Sequence, residues 1–185
     1  MSESLAELVG AGVIDSDLAA LIGLLAERGV PLVVAACDQD AAARLRGAFT
    51  AAVLAGQPAR NALAGGVVIA DSFEEVLRRL GGTPTAELTD AARDLGIVLV
   101  VKDSHIETAH YVRPIERDAA GHLQRRPPAL LSAWSRERGA LDHFYWSITD
   151  ELATRAGTDR QSLETDHQAR MRQLGEVVVG SGPWH

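Results

Sequence analysis

The residues best placed to do chemistry sit at strand-to-helix junctions, and the first such junction is Ala36-Cys37-Asp38-Gln39-Asp40-Ala41-Ala42-Ala43. An apolar run, Pro31 to Ala36, precedes it and a helical pattern follows, the order that a phosphate-binding loop of the form G-x-x-x-x-G-K-[ST] needs. The chemistry of that loop is gone. Ala36 and Ala41 occupy the two glycine positions, Ala42 that of the lysine and Ala43 that of the hydroxyl residue. Without glycine the loop cannot readily take positive φ and wrap its N–H groups around a phosphate. Without Lys and Ser/Thr nothing balances a γ-phosphate or holds Mg²⁺. Asp38 and Asp40 add negative charge where a polyphosphate would lie, so neither ATP nor Mg²⁺ is expected to bind. Nucleotide binding through the helix N-terminus alone is the functional alternative. A structural turn capped by Asp38 or Asp40 is the simpler reading. Cys37 at the same helix end would gain thiolate character, which the adjacent Asp38 opposes, and a small turn residue is preferred to a nucleophile.

Asp71-Ser72 ends a second apolar run, Gly66 to Ala70, and Lys102 ends a third, Ile97 to Lys102. Open α/β sheets place ligands at such strand ends, so an enzyme site of unrelated chemistry is one option. The same Asp-Ser pair is an ordinary helix cap, and no base lies near it in sequence. His105, Glu107 and His110 suggest a metal cluster, but strand alternation puts His110 on the opposite face from the other two unless a bulge intervenes. No metal site is expected, and surface or interface histidines are preferred. Arg113, Arg117, Arg125 and Arg126 form the most basic stretch of an acidic chain. They suit a nucleotide from a neighbouring subunit or an acidic partner surface, against a plain solubility role. Trp134, Phe144, Tyr145 and Trp146 read as the core of a hairpin rather than a binding face.

The bulk properties bound these options. With 185 residues the chain is long enough for one compact unit. A net charge of -7 argues against nucleic acid as a partner. One cysteine cannot form an internal disulfide, which fits a reducing, cytoplasmic setting. The acidic N-terminus does not read as a secretory signal, and no apolar run is long enough to span a membrane, so direct membrane insertion is not expected.

Periodicity supplies the scaffold. A helix is predicted over Asp17 to Arg28 with Ser16 before it and Gly29 as its stop; a buried strand over Pro31 to Ala36; and a helix over Gln39 to Leu54. Gly56 to Ala64 is a connector, Gly66 to Ala70 a strand, Phe73 to Leu80 a helix, Thr85 to Leu95 another, and Ile97 to Lys102 the third buried strand. Strand–helix–strand–helix–strand predicts a parallel sheet. After Lys102 the pattern changes: His105 to Arg113 alternates as an antiparallel strand, and Leu130 to Trp134 with Leu141 to Trp146 form a hairpin. Ile148 to Gly157 is a short capped helix, Arg160 to Leu174 a polar one, and Gly175 to His185 a loose tail.

Gly66-Val-Val-Ile-Ala-Asp-Ser-Phe-Glu-Glu-Val-Leu-Arg-Arg-Leu80 resembles the stretch T-I-H-A-[ND]-S-x-E-E-[AV]-L-x-R-L of the ATPases of type II and type IV secretion and of type IV pilus assembly and retraction. Ala70, Asp71, Ser72, Glu74, Glu75, Val76, Leu77, Arg79 and Leu80 match, while Ile69 stands in place of the histidine. The likeness covers residues 10 to 115, the parts outside this box agreeing mainly in order. It implies a RecA-like (P-loop NTPase-type) fold from which the Walker B strand is missing, since only Ala55 to Gly65 joins the two elements that flank it in that family. The family's 5-1-4-3-2 strand order would then shrink to 5-1-4, making 97–102, 31–36 and 66–70 neighbours. The edge at 66–70 would need a cover, a partner or the later antiparallel strands.

The expected fold is therefore α/β, a short, mainly parallel RecA-like sheet flanked by helices and extended by antiparallel strands and C-terminal helices. Residues 1–104 form the truncated core and 105–185 the extension, as one compact unit. The resemblance implies no catalytic residue in this chain and a role as scaffold or regulatory subunit beside an active secretion or pilus ATPase or another machine component, or as a homo-oligomer. A nucleotide or small-anion sensor without hydrolysis is the alternative.

Overall fold

The computed structural model describes residues 4–56, 67–81, 94–124 and 126–180. The chain begins with helix α1, Leu5–Gly10. Its start is a capping box, in which Ser4 Oγ accepts the Glu7 N–H at 3.2 Å and the Glu7 carboxylate accepts the Ser4 N–H at 2.6 Å. Helix α2, Ser16–Glu27, opens one residue earlier than its sequence pattern suggests: Asp15, not Ser16, is the cap, accepting the Leu18 N–H at 2.8 Å. Strand β1, Leu32–Ala36, leads into α3, Gln39–Gly56. Strand β2, Val67–Ile69, leads into α4, Phe73–Gly81. Strand β3, Gly96–Lys102, turns directly into β4, His105–Val112. Of the predicted connector Gly56 to Ala64 and the predicted helix Thr85 to Leu95, residues 57–64 and 85–93 lie outside the described residues, while Gly56 closes α3 and Asp94 and Leu95 are not helical.

Six strands form one mixed sheet in the order β2-β1-β3-β4-β7-β8, where β7 is Ala129–Ser135 and β8 is Ala140–His143. Among the described residues only the β1–β2 and β1–β3 pairs are parallel, so the sheet is mixed rather than mainly parallel. The antiparallel strands continue from β3, on the side away from β2, and therefore do not cover the edge that β2 presents. Ile69 on that strand is 42% exposed. A small ladder, β5 (Glu116–Arg117) with β6 (Leu123–Gln124), sits in the β4–β7 connection. The proposed boundary at 104/105 falls within the β3–β4 turn.

Parity of the central strands divides the core in two. Leu32, Val34 and Ala36 with Ile97, Leu99 and Val101 face α1, α2, α3 and the C-terminal helices. Val33 and Ala35 with Val98 and Val100 face Phe73 and Val76 of α4. A strand covered on both faces must be apolar throughout, which is why β1 and most of β3 show no polar alternation. On α2, every residue from Leu18 to Ala26 is buried. Such a helix needs neighbours on all sides, and α1, α3 and the C-terminal helix Arg160–Gly180 supply them.

The C-terminal part corrects three boundaries. The hairpin strand β8 ends at His143, and Tyr145–Ile148 is a 3-10 turn rather than strand. Helix α5, Thr149–Arg155, has no side-chain cap. Helix α6, Arg160–Gly180, runs beyond Leu174 into the stretch expected to be a tail. Among the four aromatic residues of the expected core, Tyr145 is buried and Trp134 partly so, but Phe144 and Trp146 are exposed.

One glycine fixes the meeting of β1 and β3. Gly96 has φ +59°, and a Cβ there would stand 2.3 Å from the Pro31 carbonyl oxygen. The same oxygen accepts the Ile97 N–H at 2.8 Å, so the backbones cannot separate without losing that bond. Gly96→Ala is expected to destabilise the chain by about 2 kcal/mol or more, from backbone strain and the clash together. Urea unfolding at constant m-value measures this, and an unchanged midpoint would contradict the close approach.

Candidate functional site

The carboxyl ends of β1, β2 and β3 lie side by side, because Ala36 pairs with Ile69 on one flank and with Val101 on the other. The loop from Ala36 to Ala43, the Asp71-Ser72 pair and Lys102 are thus brought to one edge of the sheet. Cys37 is exposed there. Asp38 caps α3: its Oδ1 accepts the Asp40 N–H at 2.9 Å and its carbonyl oxygen accepts the Ala42 N–H at 3.2 Å. Asp40 supplies that backbone donor rather than a second cap. Gln39 and Asp40 are exposed, while Ala42 is buried against the core. A carboxylate of the chain itself therefore occupies the helix end where a phosphate would bind.

Asp71 and Ser72 serve α4 in the same way. Ser72 Oγ faces the Glu75 N–H at 3.4 Å, and the Glu75 carboxylate returns to the Asp71 N–H at 3.1 Å. Glu75 also accepts from Arg79 at 2.6 and 3.0 Å, and from Arg78 at 3.4 Å. The Arg79 hydrogen bond, then that from the Asp71 backbone, hold the Glu75 carboxyl below the usual carboxylate range. Ile69, at the histidine position of the resembled motif, offers no polar atom. The turn beyond Lys102 is tight: Asp103 and Ser104 have φ of 49° and 67°, the left-handed pair that a two-residue hairpin demands. Behind it lies a cavity of about 60 Å³, lined in part by Val13, Ala41, Arg44 and Ser104, with room for one or two waters.

The histidines of β4 do not converge. A β-bulge is present, since Val100 pairs with Thr108 while Val101 pairs with Ile106, leaving Glu107 as the extra residue. Even so, His105 lies over Trp134 with ring centroids 4.2 Å apart, and 3.5 Å from Glu107. His110 stacks on Phe73 of α4 at 3.8 Å, the planes within 6°. It is a packed residue rather than a surface one, and burial, only partly opposed by Glu74, pushes it down to about 4. Among the described residues no group of three or more His, Cys, Asp or Glu side chains is placed to hold a metal ion.

Arg113 and Arg126 are engaged within the chain. Arg113 is not an exposed loop residue: its Nε and Nη2 each donate to Glu151 of α5 at 2.7 Å, and its Nη1 donates to the Pro127 carbonyl. The Glu151 hydrogen bond raises the Arg113 pKa still further. Arg126 lies 3.6 Å from Glu151 and 3.8 Å from Glu116. Arg125 and the side chain of Arg117 lie outside the described residues.

The ionisable cluster that sequence reading misses joins residues 128 and 150 positions apart: Asp15, Asp17, His143, Tyr145 and His167. No local motif carries it. The only sequence signal is a pair of acids at a helix start, and those have ordinary roles there, Asp15 as the cap and Asp17 as a first-turn acid.

If Asp38 is a cap, Asp38→Ala is expected to cost about 1 kcal/mol and Asp38→Asn close to nothing, since both side chains cap well. Thermal unfolding of the two variants checks this, and equal losses would contradict capping. No protein-family model matches the chain, and no curated protein matches it significantly.

Proposed function

We propose that this chain is a non-catalytic protein similar in frame to the secretion and pilus ATPases, a RecA-like core shortened by loss of its Walker B side, acting as a scaffold or regulatory subunit. Its partner in this reading is an active ATPase or another component of a secretion or pilus assembly machine, and its setting is cytoplasmic. The observation that carries the proposal is the arrangement around β1. The three parallel strands stand in the order expected from the shortened family sheet, β3-β1-β2. The loop at the end of β1 has alanines in place of the phosphate-binding side chains, and its helix N-terminus is taken by Asp38. The strand–helix frame is kept and the groups for hydrolysis are not, which favours a role for its shape. Among the described residues no helix is long and apolar enough to cross a membrane, consistent with association through a partner.

Two measurements test this. In a thermal-shift assay with millimolar ATP or ADP and Mg²⁺ the melting temperature is expected not to move. A ligand at a hundred times its Kd would add about 2.7 kcal/mol, or about 5 to 10 °C for a chain of this size. Such a rise would replace the scaffold reading with a nucleotide sensor. Affinity purification from native cells is expected to recover a secretion or pilus ATPase or a component of its machine, and failure to recover any would overturn the proposed partner.

A further inference from the structure

On the other side of the fold, the start of α2, the end of β8 with its 3-10 turn, and the first half of α6 meet at a half-buried ionisable cluster. Asp15 Oδ2 lies 2.9 Å from His143 Nε2. Asp17 Oδ1 accepts the Tyr145 hydroxyl at 2.5 Å and lies 3.2 Å from His167 Nε2, which also donates to the Asp17 carbonyl oxygen at 2.9 Å. The Tyr145 ring stands edge-on to both imidazoles, with centroids 5.8 Å away in each case. The groups face each other, and the cavity beside Tyr145 and His167 is only about 10 Å³, so the cluster is an internal contact rather than a substrate site. Its carboxylates come from one element and its imidazoles from two others.

We propose that the charge on His143 and His167 latches α6 and the 3-10 turn onto the start of α2, and that α6 loosens as these imidazoles lose their protons. Two carboxylates are balanced only while both imidazoles are charged. Neutral His167 still donates Nε2–H to the Asp17 carbonyl, and the α2 N-terminus still favours the two acids. Deprotonation therefore weakens the contact without abolishing it.

The charged groups around the imidazoles are paired among themselves. At the end of α2, Glu27 pairs with Arg170 at 2.7 Å and the following Arg28 with Asp166 at 3.3 Å, both partners on α6. Glu164 of α6 is held by Arg160, which also reaches Asp150 of α5, and Glu151 of α5 is held by Arg113. Asp142 of β8 is paired with Arg138, and Glu7 of α1 is engaged in its own cap. None of these side-chain types ordinarily changes charge between about pH 6 and 9. Tyr145 stays protonated as well, because burial and then the Asp17 hydrogen bond raise it.

The sign follows from the partners. Burial works to lower both imidazoles, but the Asp15 hydrogen bond and the nearby acids on His143, and the Asp17 contacts on His167, outweigh it and hold both above the ordinary histidine value. Their contribution is full below the unfolded value, near 6.5, and is lost as the pH rises through the folded values. His143 Nδ1 is buried with no acceptor, which opposes its second proton. His110 has the opposite trend, its folded value being lowered, but it stands on the far face of the sheet against α4. A local measurement separates the two.

Hydrogen exchange of the whole chain, corrected for the intrinsic rate, is the test. Between about pH 6 and 9 the amides of 160–174 are expected to lose about threefold or more of their protection, while those of β1 and β3 keep theirs. In His167→Gln the protection of α6 should start lower and lose most of its pH dependence. Arg170→Ala should weaken α6 at every pH and leave the dependence intact. Protection of α6 that ignores pH in the wild-type chain, or the same dependence in His167→Gln, overturns the latch. If His167→Gln does not fold, NMR titration of His167 in the wild-type chain decides: a midpoint above the ordinary histidine value supports the latch, and one at or below it overturns it.

Discussion

Everything in this fold is arranged around the pairing of Leu32–Ala36 with a parallel neighbour on each side. A strand hydrogen-bonded along both edges and buried on both faces has no polar exit, so helices must cover both faces and the two β–α loops must leave at the same end. The crossover from β1 to β2 through α3 follows from this, since parallel neighbours cannot be joined by a tight turn. The close approach of Gly96 to Pro31 sets the register of the third strand against the first. Beyond β3 the constraint relaxes, and Asp103-Ser104 lets the chain return at once as an antiparallel strand, at a strain of about 1 kcal/mol for each left-handed residue.

That division explains what the sequence makes legible. The buried strands announce themselves as unbroken apolar runs, and their alternation with helices points to parallel pairing, whereas the neighbours of β1 are what the resemblance to the secretion and pilus ATPases implies and not something alternation can supply. The caps at Asp38 and Ser72 were also readable, because an acid or hydroxyl one to three residues before a helical pattern acts through local bonds. The mixed character of the sheet was partly readable from the alternation after Lys102. What could not be read is which edge those strands would join.

The failures have a common physical source in long-range contacts. The bulge at Glu107 depends on pairing between β3 and β4, so counting along one strand could not place it. Arg113 looks like a loop residue because Glu151, its partner, is 38 residues away. α1 was missed because six residues leave too little periodicity to read, and its Ser4–Glu7 box is the sole signal. Tyr145 leaves the hairpin because its hydroxyl reaches Asp17, a contact unavailable to an alternating strand model.

The two ends of the molecule use the same chemistry for different purposes. At the carboxyl edge of the parallel strands, carboxylates satisfy the helix ends of their own segments, so each helix N-terminus is neutralised within a few residues. At the start of α2 the carboxylates do this and more. Asp15 caps its helix through one oxygen and faces His143 with the other, and Asp17 gathers Tyr145 and His167 from two further elements. A cap that serves only its own helix has a cost of loss confined to that helix. An acid shared between a helix start and distant imidazoles ties local order to tertiary order, and makes the attachment of α6 depend on protons as well as on packing. The cluster at Asp17, rather than the loop at Ala36, is therefore where a change of conditions acts on the arrangement of the fold.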